Sequence, residues 1–429
     1  MTPDDDEVVI LNDYATVSGG STSVAIASAV GLAAAGRKVT FFSCVGPVAP
    51  ALLSRPNLEV VCLDQPELVR DPSRARAFFT GLRNGRAVAA LRRVLGRKDA
   101  RRTVVHAHTW TKALSPYALD AAAAMGFPLV VTLHDFAIAC PTAGFFVHRQ
   151  DRICHHRPLS AGCLLCRCDR RNQAHKWWRS LRMFLQNRVL RLPSRVTHYV
   201  GVSAFSANLL RPHLPAAKPV TVVRNPVECP DDGPAPVADN RVFLFLGRLV
   251  REKGVRLLAA AARDTGLPVV FAGEGALEPE LRRRCPAARF TGWLDGPALR
   301  EELRRARALV FPSLWYETLG LVVIEAAAAG VPVIVSDSCA AIDQVRPGRT
   351  GLYFQHGSAN SLATAMRRLA LSDPLAARLG REAYRWYWSD PWTVETHVAQ
   401  LGAVYRACRS AGAPNGEPRH ECLVGHGAR

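Results

Sequence analysis

Short apolar runs, bounded by Gly, Pro, Asn or Asp, recur along the chain with helical stretches between them. Residues 8–11, 39–44, 104–108, 129–134, 197–202 and 220–224 read as strands of a first half. Ser18-Gly19-Gly20 closes the loop after the first strand, and residues 21–36 read as an Ala-rich helix ended by Gly36. Residues 229–240, CPDDGPAPVADN, carry Pro, Gly and Asp without periodicity and read as a linker. A second series follows at 242–246, 269–272, 289–291, 308–311, 331–336 and 351–354. Apolar runs that do not alternate, spaced by helices, mark strands buried on both faces. The pattern therefore predicts an α/β protein with two Rossmann-like, doubly wound domains facing a cleft. Ligands of such sheets bind outside the carboxyl ends of the strands.

Length agrees with that division, since 429 residues exceed what one core comfortably holds. The expected domains are 1–232, with a Cys-rich insertion at 140–168, and 239–381, followed by a helix pair at 382–409. Residues 410–429 contain Gly and Pro and read as a disordered tail. The formal charge of +19 has two readings. One is attraction to nucleic acid or to an anionic membrane surface. The other is compositional bias toward Arg and Ala. No nucleic-acid motif of standard spacing is present and the arginines are scattered, which weighs against nucleic acid as a partner. No apolar run approaches the ~20 residues of a membrane span. The acidic start, MTPDDDEVVILNDY, leads straight into a strand and does not read as a secretory signal. The expectation is a cytoplasmic protein, peripheral at most at the inner face of a membrane.

Residues 311–337, FPSLWYETLGLVVIEAAAAGVPVIVSD, carry the candidate chemistry. Glu317 and Glu325 flank a turn and the first turns of a helix, between two apolar strands. Thr318, Leu319 and Gly320 sit where the helix begins. Free N–H groups at a helix start bind anions, and Gly320 permits close approach to the backbone. Eight helical steps cover roughly 12 Å. One carboxylate can then hold a sugar and the other a ribose, with a diphosphate between them.

This stretch closely resembles the E-x7-E signature of the retaining family-4 glycosyltransferases, which have the GT-B fold. The resemblance covers nearly all of residues 8–408 and is densest from 242 to 354. It implies transfer of a sugar from a nucleoside-diphosphate donor to a hydroxyl of a glycan or lipid-linked acceptor, in polysaccharide or cell-envelope glycan synthesis. In that family a C-terminal helix crosses back onto the first domain. Arg248 and Lys253, in FLFLGRLVREKG, match the family's Arg and Lys. Fixed cations in a dry cleft stabilise the charge that develops on the departing diphosphate. His134, at the end of LVVTLH, matches a His against the donor sugar, and Gly19 and Gly20 match the loop facing donor phosphates and acceptor. Gly273 and Glu274 match a loop near the nucleotide, and Trp293 and Leu294 the place of the base. Asn225-Pro226 matches the turn that ends the first domain. No Asp-x-Asp follows an internal strand, and Asp4-Asp5-Asp6 lies at the extreme N-terminus, so transfer without a catalytic metal is expected. The resemblance implies retention through same-face attack, with the leaving phosphate as base. One departure is clear: the family's Gly-Gly-x-x-Glu loop is replaced by DSCAAID, 337–343.

Two further features stand beside the resemblance. Cys140, Cys154, Cys163 and Cys166 crowd one polar stretch near Cys168, His155 and His156, and Cys163-x2-Cys166 is a metal-ligand spacing. A structural zinc clip, free or redox-active thiols, and an iron–sulfur cluster or disulfides all remain open. Residues 176–192, KWWRSLRMFLQNRVLRL, are basic and amphipathic, and read as a membrane-surface helix or as one packed on its own domain. His106 and His108 share one strand face and either line the cleft or are buried and satisfied. Two other functions are left open: a basic, zinc-stabilised nucleic-acid binder, and a nucleotide-sugar epimerase on the same fold.

Overall fold

A computed structural model describes residues 7–412. Fifteen strands in the described residues follow the predicted order with additions. In the first half they are β1 Glu7–Tyr14, β2 Lys38–Val45, β3 Leu58–Cys62, β4 Thr103–Ala107 and β5 Leu129–Leu133. A small hairpin, β6 Phe146–Val147 and β7 Arg152–Ile153, lies in the Cys-rich insertion, before β8 His198–Gly201 and β9 Val220–Val222. The second half has β10 Val242–Leu246, β11 Val269–Ala272, β12 Arg289–Gly292, β13 Ala306–Phe311, β14 Val333–Ser336 and β15 Gly351–Phe354.

The larger sheet runs β3-β2-β1-β4-β5-β8-β9 and the smaller β12-β11-β10-β13-β14-β15. Every strand pair in both is parallel. Strand order reverses between β1 and β4 in one sheet and between β10 and β13 in the other. At such a switch point the loops leaving adjacent strands splay apart and open a crevice. β1 and β4 are buried along almost their whole length, as expected for strands covered on both faces.

The terminal helices divide differently from expectation. The segment 382–409 does not return as one pair. The helix Asp373–Trp388 stays on the second half against the helix Leu321–Ala328. Only the helix Val394–Gly412 goes back, burying Val398, Leu401, Val404 and Tyr405 with Val8, Ile10 and Ala29 of the first core. A Cβ on Gly31 would lie 2.4 Å from Val394 Cγ1, so glycine lets this helix seat closely. The chain thus crosses between halves twice, after β9 and after Trp388. The crossings touch, since the Val227 N–H donates to the Trp392 carbonyl at 2.8 Å. The last helix runs to Gly412, past the expected start of the tail; the rest of that tail and Asp4–Asp6 lie outside the described residues. Among the described residues no helix is long and apolar enough to cross a membrane.

Candidate active site

The loops leaving β10 and β13 meet at the switch point of the smaller sheet. Gly254 makes the meeting sterically allowed. Its φ is +68°, and a Cβ there would sit 1.8 Å from the Pro312 carbonyl oxygen. The neighbouring Lys253 then reaches Glu317, with Nζ donating to Oε1 at 2.7 Å. Ser313 Oγ donates to the same oxygen at 2.6 Å. The ammonium also lies 5.6 Å from the Phe311 ring centroid and 5.7 Å from that of Trp315. Burial pushes the Glu317 carboxyl up, but Lys253 and Ser313 outweigh it and hold the group below its usual range. Glu317 has φ +53°, a left-handed conformation that a non-glycine residue adopts at a cost of roughly 1–3 kcal/mol.

Arg248, on the same loop as Lys253, keeps a half-exposed guanidinium. Gly273 and Gly275 press against that loop: a Cβ on Gly273 would lie 2.1 Å from the Gly247 carbonyl oxygen, and one on Gly275 would lie 2.3 Å from that of Leu249. The Leu249 N–H donates to the Glu274 carbonyl at 2.8 Å. The Gly273–Gly275 segment therefore buttresses the backbone that carries Arg248.

The helix Leu321–Ala328 begins after Gly320, whose φ is +94°. Its entry lies across the cleft from the first half. Thr318 Oγ1 donates to the His134 carbonyl at 3.0 Å, and Ser203 Oγ donates to the Thr318 carbonyl at 2.7 Å. A Cβ on Gly20 would sit 3.2 Å from Leu321, so the Gly19-Gly20 loop faces this helix start. The Leu319 side chain packs between the halves with Val202, Val227 and Trp392. Asp343, in the departing loop, accepts from the Phe205 N–H at 2.8 Å and so joins the same interface.

Glu325 lies apart from the Lys253 contact. It lines a cavity of about 110 Å3 with Cys229, Asp232, Gly296, Leu299 and Arg300. Its Oε2 is buried without a partner, and burial raises its pKa. Leu294 packs at the edge of the second core, whereas Trp293 is 73% exposed.

On the first half, His106 is buried and satisfied, bonded to Tyr405 Oη and Thr132 Oγ1 at 2.7 Å each. His108 is hydrogen-bonded through Nδ1 to His134 Nε2 at 2.9 Å, and its own Nε2 is buried without a partner. Burial lowers His106 and His108 well below the usual imidazole range and brings His134 to about 3, with a smaller contribution from His397. All three are neutral at pH 7. Sequence reasoning missed Asp13, at the end of β1. It is fully buried and accepts the N–H groups of Lys112, Ala113 and Leu114 at 2.8–3.0 Å. The signal available was a polar Asn-Asp pair closing an apolar strand.

Cys140, Cys154, Cys163, Cys166 and Cys168 all line one small cavity of about 10 Å3. All five are free thiols. Lys176 is 1% exposed, and its Nζ donates to Cys163 Sγ at 3.4 Å. The expected zinc clip is not preformed: among the described residues no three His, Cys, Asp or Glu side chains are grouped to hold a metal ion.

Residues 18–229 match the description Glycosyltransferase Family 4, and residues 232–386 match Glycosyl transferases group 1. The chain belongs to glycosyltransferase family 4. This family-4 chain is 34% identical over 215 residues to glycogen synthase of Mycobacterium tuberculosis, covering 46% of itself and 50% of that relative. It is 42% identical over 108 residues to a GDP-mannose-dependent alpha-mannosyltransferase of Mycolicibacterium smegmatis, covering 25% and 28%. The chain spans about half the length, 50%, of the first curated relative it matches. Sucrose-phosphate synthase from Thermosynechococcus elongatus superposes with a TM-score of 0.70 at 21% identity, over 95% of this chain and 100% of that one. Anabaena HepE in complex with UDP gives 0.64 at 17%, over 94% and 100%. These likenesses establish the GT-B fold. The matches are to transferases and lend no support to the nucleic-acid binder or the epimerase.

The buried neutral histidines generate a prediction. Their folded pKa values are depressed, so below about pH 6.5 the unfolded chain binds protons that the folded chain does not. Stability should fall as pH drops from about 6.5 toward about 4. His106→Gln and His108→Gln should each flatten that slope in urea titrations. An unchanged slope in both variants would show that these imidazoles do titrate in the fold.

Proposed function

We propose that this family-4 member moves a sugar from a nucleoside diphosphate to a hydroxyl acceptor, with retention and without a catalytic metal. The observation that carries the reading is the Lys253–Glu317 pair at a sheet switch point, beside a half-exposed Arg248 and a helix start. An arriving diphosphate competes with Glu317 for Lys253. It takes up the charge of Lys253 and Arg248, and Glu317 is released to accept hydrogen bonds from sugar hydroxyls. The bond from the anomeric carbon to phosphate oxygen breaks, and the acceptor oxygen bonds to the same face of that carbon. The acceptor proton passes to the departing phosphate. The two cations stabilise the charge accumulating on the leaving group. His134, neutral at the cleft, offers a hydrogen bond to the sugar without adding charge. Glu325 would hold the ribose in its cavity, with Trp293 and Leu294 near the base.

The names of similar proteins agree in kind: one relative is named GDP-mannose-dependent, and HepE was solved with UDP. Thermal unfolding with UDP, GDP, ADP and dTDP tests the reading. A nucleotide at about 100 times its dissociation constant adds about 2.7 kcal/mol. One of the four should raise the midpoint in wild type and not in Glu325→Ala. Lys253→Ala should lose roughly 100- to 1,000-fold in turnover. No shift with any nucleotide would overturn the assignment.

The Cys-lined cavity supports a structural zinc, held by Cys140, Cys154, Cys163 and Cys166. Lys176 would offset part of the charge of four thiolates. Binding requires the sulfurs to turn toward one point, since they are not so arranged here. Elemental analysis of the purified protein should find about one zinc per chain; a folded, metal-free sample would leave these as free thiols of a reducing, cytoplasmic setting.

A lipid-linked acceptor agrees with the exposed apolar residues Trp177, Leu181 and Phe184 on the helix Gln173–Phe184, close to Phe78 and Phe79. The surrounding arginines suit an anionic membrane surface. The protein should cosediment with vesicles containing phosphatidylglycerol, and Trp177→Ala/Phe184→Ala should weaken that binding. Equal binding to neutral vesicles would remove the anionic surface from the reading, and binding to neither would remove the membrane.

A further inference from the structure

The Cys-rich insertion belongs to the first half, yet its charged side chains hold the second. Asp151, between β6 and β7, accepts Nε and Nη2 of Arg251 at 2.8 Å each. A Cβ on Gly144 would touch the Trp315 ring at 3.4 Å, so the insertion lies against the Lys253–Glu317 neighbourhood. Arg170, two residues after Cys168, pairs with Glu252 Oε1. Glu252 is 1% exposed and stands between Arg251 and Lys253 on the donor-side loop.

Arg248 competes for the same carboxylate. Its Nη2 lies 3.8 Å from Glu252 Oε1, beyond hydrogen-bond distance. One buried carboxylate therefore faces two guanidinium groups from opposite sides of the cleft, and the one from the insertion stands nearer. His148 Nδ1 lies 3.7 Å from the other oxygen. Burial, and then Arg170, lower its pKa to about 4, so it brings no charge at neutral pH. The two guanidinium groups also repel: Arg170 is brought down to about 10 by burial and next by Arg248.

We infer that Arg170 is a positioning residue: by neutralising Glu252 from across the cleft, it keeps Arg248 free for the donor diphosphate. A buried carboxylate left unpaired is costly. Without Arg170, Arg248 is the nearest charged partner and closes onto Glu252 four residues along the loop. Separation of the halves has the same effect, because Arg170 leaves with the insertion. Opening then disarms the phosphate site, and closing arms it.

The inference rests on the transferase reading, and the test separates the two. The nucleoside diphosphate that stabilises wild type is titrated into Arg170→Gln, Arg170→Lys and the double variant Arg170→Gln/Glu252→Gln. Arg170→Gln should weaken binding about tenfold, equivalent to roughly 1.4 kcal/mol. Its donor KM should rise more than its kcat falls, since saturating donor recaptures Arg248. Arg170→Lys should retain most of the affinity. The double variant should recover it, because a neutral amide in place of the Glu252 carboxylate no longer draws Arg248 away; a residue with a merely structural role would not be rescued in this way. Unfolding midpoints measured without ligand show whether each variant is folded. Wild-type affinity in folded Arg170→Gln, or a folded double variant no better than the single, would overturn the inference and leave the transferase reading intact. Absence of nucleotide binding in wild type would remove both.

Discussion

Everything around the Lys253–Glu317 pair depends on two loops approaching closer than side chains normally permit. The loop after β10 passes the Pro312 carbonyl at a point where only a glycine fits. That contact brings Lys253 to Glu317 and fixes the direction of both. Glu317 adopts a left-handed backbone to meet it, which is locally unfavourable and is sustained by the ion pair and the Ser313 hydroxyl. Gly273 and Gly275 repeat the device one loop away, where a second backbone presses the Arg248 segment from behind. The cations are thereby preorganised by backbone sterics, so little reorganisation is needed when a charged ligand arrives.

The first half is built on the opposite principle. There burial keeps the imidazoles of His106, His108 and His134 neutral. Asp13 ties the end of β1 to the turn 112–114, and His106, His108, Thr132 and Tyr405 form a row beneath the cleft. Such a row of neutral imidazoles and hydroxyls holds strand ends in register without adding charge. One half of the protein supplies fixed charge and the other supplies shape and hydrogen bonds.

The strands were legible because burial on both faces leaves them as plain apolar runs, and β10, β11 and β15 begin and end where the pattern places them. β3 was not, since it is short and only partly buried at a sheet edge, so LEVVC gives a weak signal. The candidate site was legible as a group of residues where backbone chemistry marks it: glycines beside charged residues at strand ends. The Lys253–Glu317 pair could be suspected as two members of one site but not as direct partners, because 64 residues separate them. The insertion was legible only as a count of cysteines. Its reach to the other half depends on Asp151 and Arg170, ordinary surface residue types whose partners lie 100 and 82 positions away. No periodicity announces such contacts.

The double crossing between the halves has a mechanical consequence. A single linker would act as a swivel, leaving the second half free to bend, twist and slide. Here the segment after β9 and the one before the last helix run side by side, joined by the Val227–Trp392 hydrogen bond, with Arg224 paired to Asp390 beside them. Two parallel pins make a door hinge. Twist and translation are resisted, and rotation about the line of the pins is the soft coordinate. Along that rotation the far edge of the cleft travels the greatest distance.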